Sequence, residues 1–310
     1  HPLATQVAIE MLRQGGSAVD AAIALNACLG FLEPVSCGIG GDCYAMIWDP
    51  ALAKVTGLAG SGASPRSLSL ETARARAVDG ALPSFGAISV SVPGAVDAWA
   101  MLHDRYGRLT WQALFAPAIV LAEQGAPVPD VTAMAWRANL AAYLDPQWRV
   151  EETANAIRTF GLADGEGPLA GGVFRNPDLA RTYRTIAEGG RDAFYEGPIA
   201  ETIDAYFRRI GGWLSKADLA AHRGEWVEPY STGYRGVTVH ALGANTQGIA
   251  TLQTLNILEN FDMRGAGFQS ADSLHLQSEA KRLAYEDRAR YYADPHFARA
   301  AWNNTVYAAG

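Results

Sequence analysis

Cysteine, lysine and long apolar runs are all scarce in this 310-residue chain, and each scarcity removes a class of protein. Cysteine stands only at 28, 37 and 43, with no CxxC pair and no histidine at ligand spacing, so neither a disulfide framework nor a zinc site is supported. Cys28, inside an apolar stretch, reads as a core residue. No apolar run reaches the roughly 18 residues of a membrane span. Lysine occurs only at 54, 216 and 281, and the arginines are not clustered. With a net charge of −7 and a pI near 5.4, this argues against a nucleic-acid surface, which depends on grouped cations. There is no GxSxG elbow, no Walker loop and no HExxH pair. GIGG at 38–41 follows a helical pattern instead of a strand, the wrong order for a dinucleotide fingerprint. The six histidines, at 1, 103, 222, 240, 275 and 296, are scattered singly; each reads as a hydrogen-bonded structural residue, and no general base is evident.

What is present is globular: 49% hydrophobic and 18% charged residues. A chain of this length can bury roughly three quarters of its unfolded surface, and the expectation is a single domain over 1–310, with the weakly periodic 143–173 as a candidate mobile excursion. The chain opens at His1 directly on a helix approach, so any leader is expected to lie upstream or to have been removed.

The organising stretch runs from Glu33 to Pro65, EPVSCGIGGDCYAMIWDPALAKVTGLAGSGASP. Tyr44–Trp48 and Lys54–Leu58 are apolar runs separated by Asp49-Pro50, which reads as a hairpin. Gly38, Gly40 and Gly41 lead in; Gly60 and Gly62 lead out. Glycine serves where backbone takes positive φ or approaches another group closely, so the two loops could lie side by side as a substrate rim, or could simply be tight turns.

Around this hairpin the periodicity predicts mainly helices. Leu3, Val7 and Met11 mark a stripe over 3–13, with Leu12 widening it and Ile9 off it. Ser17 caps a helix over 17–32 through a capping box closed by Asp20, and that helix is apolar nearly all round, so it should be buried. Ser69 caps a helix to about Val78. Ile88–Val92 alternates as a strand, then Pro93-Gly94 leads into a helix to about Tyr106. Thr110 starts another, where Pro117 should kink or break the helix. Helices follow over 176–188, 198–210 and a short run capped by Ser215, then a strand over Tyr234–Leu242, and helices over 247–261 and 270–292. On the last, Asp287-Arg288 and Glu279–Arg282 read as ion pairs.

HPLATQVAIEMLRQGGSAVDAAIALNACLGFLEPVSCGIGGD closely resembles the opening of the large subunit of the γ-glutamyltransferases. So do FYEGPIAETIDAYFRRIGGWLSKADLA, YRGVTVHALGANTQGIATLQTLNILENFDM and SEAKRLAYEDRARYYADPHF, in the family's order across nearly the whole chain. The resemblance implies an α/β fold, the four-layer αββα sandwich of the N-terminal-nucleophile hydrolases, of which this chain supplies the large-subunit half. It further implies a self-cutting precursor and a small-subunit partner whose new N-terminal threonine attacks an amide carbonyl with its own amine as base. No threonine here has that context; Thr305 reads as a loop or cap residue. No catalytic residue is therefore expected in this chain, and no cofactor or metal is implied.

One departure bears on substrate. The γ-glutamyl enzymes carry a segment of the form DFREMAP after the hairpin, whose arginine grips the α-carboxylate of the substrate. Here the stretch is AGSGASP, and aligning the shared proline end puts Ser61 at the arginine position, between Gly60 and Gly62. Those three are the expected substrate-binding residues; Arg66 lies just beyond and reads as a surface or interface residue. The pattern resembles the divergent branch that includes oxamate amidohydrolase and acylases acting on β-lactam side chains. An amidohydrolase with a substrate other than a standard γ-glutamyl compound is the expectation. True γ-glutamyl transfer, with Arg66 or a partner residue as clamp, and a non-catalytic ligand-binding relative remain the alternatives. The isolated chain is expected to aggregate, because helix 17–32 is too apolar to face water and half a sandwich leaves a sheet edge unpaired.

Overall fold

Asp20 closes the first turn of the second helix. Its side chain accepts from the Ser17 amide (2.8 Å) while Ser17 Oγ accepts from the Asp20 amide (3.1 Å), the reciprocal box that the sequence predicts. The same carboxylate oxygen takes the amides of Arg108 (2.9 Å) and Leu109 (3.2 Å), so one buried acid ties two distant segments together. The computed structural model describes residues 1–161, 166–243, 245–294 and 296. Thr305, Pro295 and part of the GLADGEGPLAGG loop lie outside the described residues.

In chain order the elements are α1 (Pro2–Arg13), α2 (Ala18–Leu32), β1 (Cys43–Asp49), β2 (Lys54–Gly60), α3 (Leu70–Arg76), α4 (Ala95–Tyr106) and α5 (Trp111–Gln124). There follow β3 (Ala126–Pro127), α6 (Asp130–Tyr143), α7 (Ala154–Phe160), β4 (Val173–Phe174), α8 (Pro177–Tyr195), α9 (Pro198–Ile210) and α10 (Lys216–Ala221). The chain ends with β5 (Glu225–Val227), β6 (Tyr230–Tyr234), β7 (Val237–Ala241), α11 (Gly248–Leu258), α12 (Met263–Ala266) and α13 (Ala271–Tyr291).

The contacts gather into two compact units, His1–Cys43 with Gly60–Gly224, and Tyr44–Ala59 with Glu225–Gly310. In the first, α2 is covered by α1, α4 and α5 of its own chain, and α5 packs on α8. Phe31, Phe115, Tyr183, Ile186 and Tyr195 are fully buried there. The two polar side chains of α2 are each tied down, Asp20 through Oδ2 as above, its buried Oδ1 having no hydrogen-bond partner, and Asn26 by accepting from Trp99 Nε1 (3.0 Å). The buried helix is thus shielded without a partner chain, which corrects the sequence argument for aggregation as far as it rests on α2. On α1, Met11 is buried but Leu12 is half exposed, outside the stripe it was expected to widen.

In the second unit β2 lies between β1 and β5, pairing with β5 antiparallel from Gly57↔Val227 to Ala59↔Glu225. Asp49 closes the turn between β1 and β2 by accepting the amides of Ala51 (3.0 Å) and Leu52 (3.2 Å). The β6–β7 hairpin packs on α11, and α11 on α13. Gln253 Nε2 donates to Asp287 across those helices (3.2 Å), while Glu279 and Arg282 pair on the surface (2.7 Å).

Four expectations are corrected. Ile88–Val92 is not a strand: a single 3₁₀ turn spans Ala87–Ser89, and the alternation reflects burial of Ile88 and Val92 against the interior. Tyr234–Leu242 is not one strand but the end of β6, a turn and β7, because Arg235 (φ 49°) and Gly236 (φ 83°) take the left-handed values of a two-residue hairpin turn. Helix α5 runs through Pro117 to Gln124, so of the expected kink or break the break does not occur. Finally, α8 continues to Tyr195, across Gly190 at φ 66° and ψ −158°, so the first straight segment ends near the expected Glu188.

Candidate functional site

Gly60, Ser61 and Gly62 leave β2 and run directly against the segment Val92–Ala95 that opens α4. The contact is backbone on backbone. A Cβ at Gly62 would lie 1.7 Å from the Val92 carbonyl oxygen, and one at Gly94 would lie 1.8 Å from that of Gly60. At Gly60 a Cβ would meet Cys43 O at 2.5 Å and Ala98 Cβ at 2.6 Å. The Val92 amide donates to Ala63 O (2.9 Å), extending the contact past Ser61. Neither Gly60 nor Gly62 has positive φ, so close approach is what requires glycine at both.

The lead-in loop joins the same place. Gly41 O accepts the amides of Gly94 (3.0 Å) and Ala95 (2.9 Å), satisfying two of the free N–H groups at the start of α4. Added side chains at Gly38 and Gly40 would meet nothing within 4 Å, so these two positions are open. Both glycine loops therefore converge on Pro93–Ala95, with Ser61 half-buried at their junction and its hydroxyl without a hydrogen-bond partner among the described residues. Arg66 is exposed, and its amide donates to Asp218 Oδ1 (3.1 Å) on α10.

Beneath this junction lies a buried polar cluster that the sequence reading passed over. Asp97, in the first turn of α4, is 1% exposed. Its carboxylate pairs with Arg191 Nε and accepts the Gly224 amide (2.5 Å), and Arg191 Nη2 donates to the His222 carbonyl (2.6 Å). Tyr195 Oη accepts from the Asp97 amide (3.1 Å) and donates to Pro93 O (2.8 Å). The Arg191 guanidinium covers the Tyr195 ring at 4.5 Å, and the His222 ring stacks on the same ring at 5.5 Å. His222 Nε2 is buried, lacks a hydrogen-bond partner, and stands 3.8 Å from Asp97 Oδ2. Burial pushes this imidazole below its usual 6.5 and Asp97 pulls the other way, while Arg191 and Arg223 push it lower. The available signal was an acid inside the apolar run Ala95-Val96-Asp97-Ala98-Trp99; such a group is stable only when paired.

None of the thiols is an activated nucleophile. Burial raises Cys28 to about 12 and Cys43 to about 11, with Asp42 adding to the latter, and burial also raises Cys37. Among the described residues no group of three or more His, Cys, Asp or Glu side chains could hold a metal ion, and no helix is long and apolar enough to cross a membrane. A separate apolar cleft of about 340 Å³ is lined by Val35, Phe85, Trp136, Leu140, Tyr143 and Phe160.

The sequence pattern described as Gamma-glutamyltranspeptidase matches residues 4–308. The glutathione hydrolase-like YwrD proenzyme of Bacillus subtilis (strain 168) is 34% identical over 299 residues, covering 96% of this chain and 55% of its own length. The chain thus spans about half the length of the curated relatives it matches. Among solved structures, the cephalosporin acylase from Bacillus halodurans superposes with a TM-score of 0.88 at 41% identity, covering 95% of this chain and 54% of that one. The Helicobacter pylori gamma-glutamyltranspeptidase superposes with a TM-score of 0.86 at 28% identity, covering 96% and 84%.

Proposed function

The chain belongs to the gamma-glutamyltranspeptidase family, with that family's α/β fold, and from that premise we propose that it is the large-subunit part of an N-terminal-nucleophile amidohydrolase acting on an acyl amide without a γ-glutamyl head group. In this reading the nucleophile lies on a small subunit cut from the same precursor. Its N-terminal threonine hydroxyl attacks the amide carbon, the free α-amine takes the hydroxyl proton and passes it to the leaving amine, and water then hydrolyses the acyl ester. This chain contributes the rim that holds the acyl group.

The observation that carries the substrate reading is the junction at Ser61. The loop is pressed backbone to backbone on Val92–Gly94, and the residue presented there has a hydroxyl in place of a guanidinium. A bidentate arginine would add charge-assisted hydrogen bonds of roughly 1.5–3 kcal/mol to a substrate carboxylate, and a neutral hydroxyl cannot supply that charge.

The competing γ-glutamyl reading needs Arg66 or a partner residue as clamp. Arg66 is anchored through its amide to Asp218 and is solvent-exposed, the setting of a surface arginine. The test is to express the full precursor, confirm cleavage into two chains, and compare kcat/KM for γ-glutamyl-p-nitroanilide with that for short acyl and oxamate-like amides. Preference for the acyl or oxamate-like amides is expected. Preference for the γ-glutamyl donor would establish the transferase reading instead, and a precursor with no Thr, Ser or Cys at the processing point would leave ligand binding alone.

A further inference from the structure

The loop 60–63 has no side chain of its own between it and its support, so its position is inherited from the backbone of Val92–Ala95. That segment is held from two sides. Gly41 O takes its amides at 3.0 and 2.9 Å. The Tyr195 hydroxyl takes the Asp97 amide and gives its proton to Pro93 O, bridging the turn that enters α4. Pro93 stands between Val92 and Gly94, which abut Gly62 and Gly60, and Asp97 stands next to Ala98, whose Cβ would lie 2.6 Å from a Cβ at Gly60.

Tyr195 is itself oriented by the ionic cluster. Arg191 lies over its ring at 4.5 Å, His222 stacks on it at 5.5 Å, and Asp97 binds Arg191 and the Gly224 amide. A carboxylate 1% exposed has no water to replace these partners, so loss of its charge leaves the Arg191 guanidinium, itself mostly buried, without its main counter-charge. The cluster joins α4, α8 and the chain after α10, and it reaches the support of the loop directly: His222 Nε2 would lie 3.3 Å from a Cβ at Gly94, the same Cβ that would meet Gly60 O.

We propose that Asp97, acting through Arg191 and Tyr195, is a positioning residue that fixes the backbone of Pro93–Ala95 and thereby sets where the loop 60–63 meets the acyl group of the substrate. It touches no reacting atom. The part concerning substrate rests on the amidohydrolase reading above; the part concerning the loop does not.

The experiment uses the processed two-chain enzyme made from the full precursor, as wild type, Asp97→Asn, Tyr195→Phe and the control Tyr183→Phe. Tyr183 is an equally buried tyrosine whose hydroxyl donates to Ala27 O (2.7 Å) on α2 and bonds neither Pro93 nor Asp97. Amide hydrogen exchange over 60–64, melting temperature, and separate kcat and KM for the preferred acyl amide are measured. Asp97→Asn and Tyr195→Phe are expected to speed exchange over 60–64 and to raise KM roughly tenfold with kcat within about twofold, the pattern of lost uniform binding. Tyr183→Phe should lower the melting temperature while leaving both readouts in place. Should Asp97→Asn fail to fold, Tyr195→Phe, which removes one oxygen, decides alone. Unchanged exchange over 60–64 in the folded variants overturns the proposal, as does an equal rise in KM for Tyr183→Phe. If wild type cleaves no amide tested, the amidohydrolase reading fails, and the exchange data still support or overturn the control of the loop by Asp97.

Discussion

Gly60 and Gly94 face each other with no space for a side chain, the carbonyl oxygen of the first lying 1.8 Å from where a Cβ of the second would stand. The obstructing atom is backbone, so no rotamer change relieves it. Gly94→Ala and Gly62→Ala should each destabilise the two-chain enzyme by about 1–3 kcal/mol or more, and should reduce activity with it. Gly38→Ala, at an open position without positive φ, should stay within about 0.5 kcal/mol. Urea denaturation of the three variants checks this; equal losses at all three would mean that the backbone contact is not what the glycines serve.

Ser61→Arg should move preference toward γ-glutamyl donors. A guanidinium at the junction adds charge-assisted contacts to an α-carboxylate and crowds a small acyl group. The expected change in the ratio of kcat/KM for γ-glutamyl over acyl amide is about tenfold or more, since a single charged hydrogen bond at 1.5 kcal/mol already accounts for that. A ratio identical to wild type would remove Ser61 from the specificity pocket and void the alignment of this loop.

Stability should fall on acidification through His222. Its folded pKa lies below the usual 6.5, so the unfolded chain takes up a proton that the folded chain refuses. The contribution is intact above about pH 6.5 and is lost as pH falls from there toward the folded value. His222→Gln should therefore show a smaller difference in melting temperature between about pH 7.5 and about pH 5.5 than wild type shows. Parallel pH dependence in the two proteins would place the acid sensitivity elsewhere.

Residues 1–310 expressed alone should aggregate, for a reason other than the apolar helix. On β1, Met46 (48% exposed) and Trp48 (60%) stand two residues apart and hence share one face of the strand. An exposed apolar strand face of this kind is expected to be covered by the small subunit of the proposed precursor. Co-expression with the rest of the precursor should restore solubility. A cooperatively melting monomer from 1–310 alone would count against it.

The helices were legible because their signals are local. Ser17 with Asp20 forms the capping box as read, its two members three residues apart, and Ser215, read as a cap, also closes a box with Asp218. The β1–β2 hairpin was equally plain from Asp49-Pro50 between two apolar runs. What misled was short-range pattern without a partner. Ile88–Val92 alternates like a strand, yet only Val92 finds a ladder-like bond, to Ala63. Arg235-Gly236 hid a turn because arginine is an uncommon left-handed residue. The site was legible in one dimension: the glycines around Ser61 could be named, with positive φ or close approach left open, and only the fold shows that approach governs. Of the cluster of Asp97, Arg191, Tyr195 and His222 only the acid within an apolar run was visible; its partners lie up to 125 residues away and meet it only when α4, α8 and the end of α10 pack.

The tethering of Ser61 has a consequence for how such a protein can change over generations. Its two immediate neighbours are held to glycine by backbone that cannot move aside, whereas Ser61 itself has no bonded partner within the described chain. Variation is therefore funnelled to one position: a new side chain there alters what the loop offers to a ligand while folding, which depends on the flanking pair, is left untouched. The architecture separates the freedom to explore new chemistry from the obligation to stay folded, and it does so within three consecutive residues.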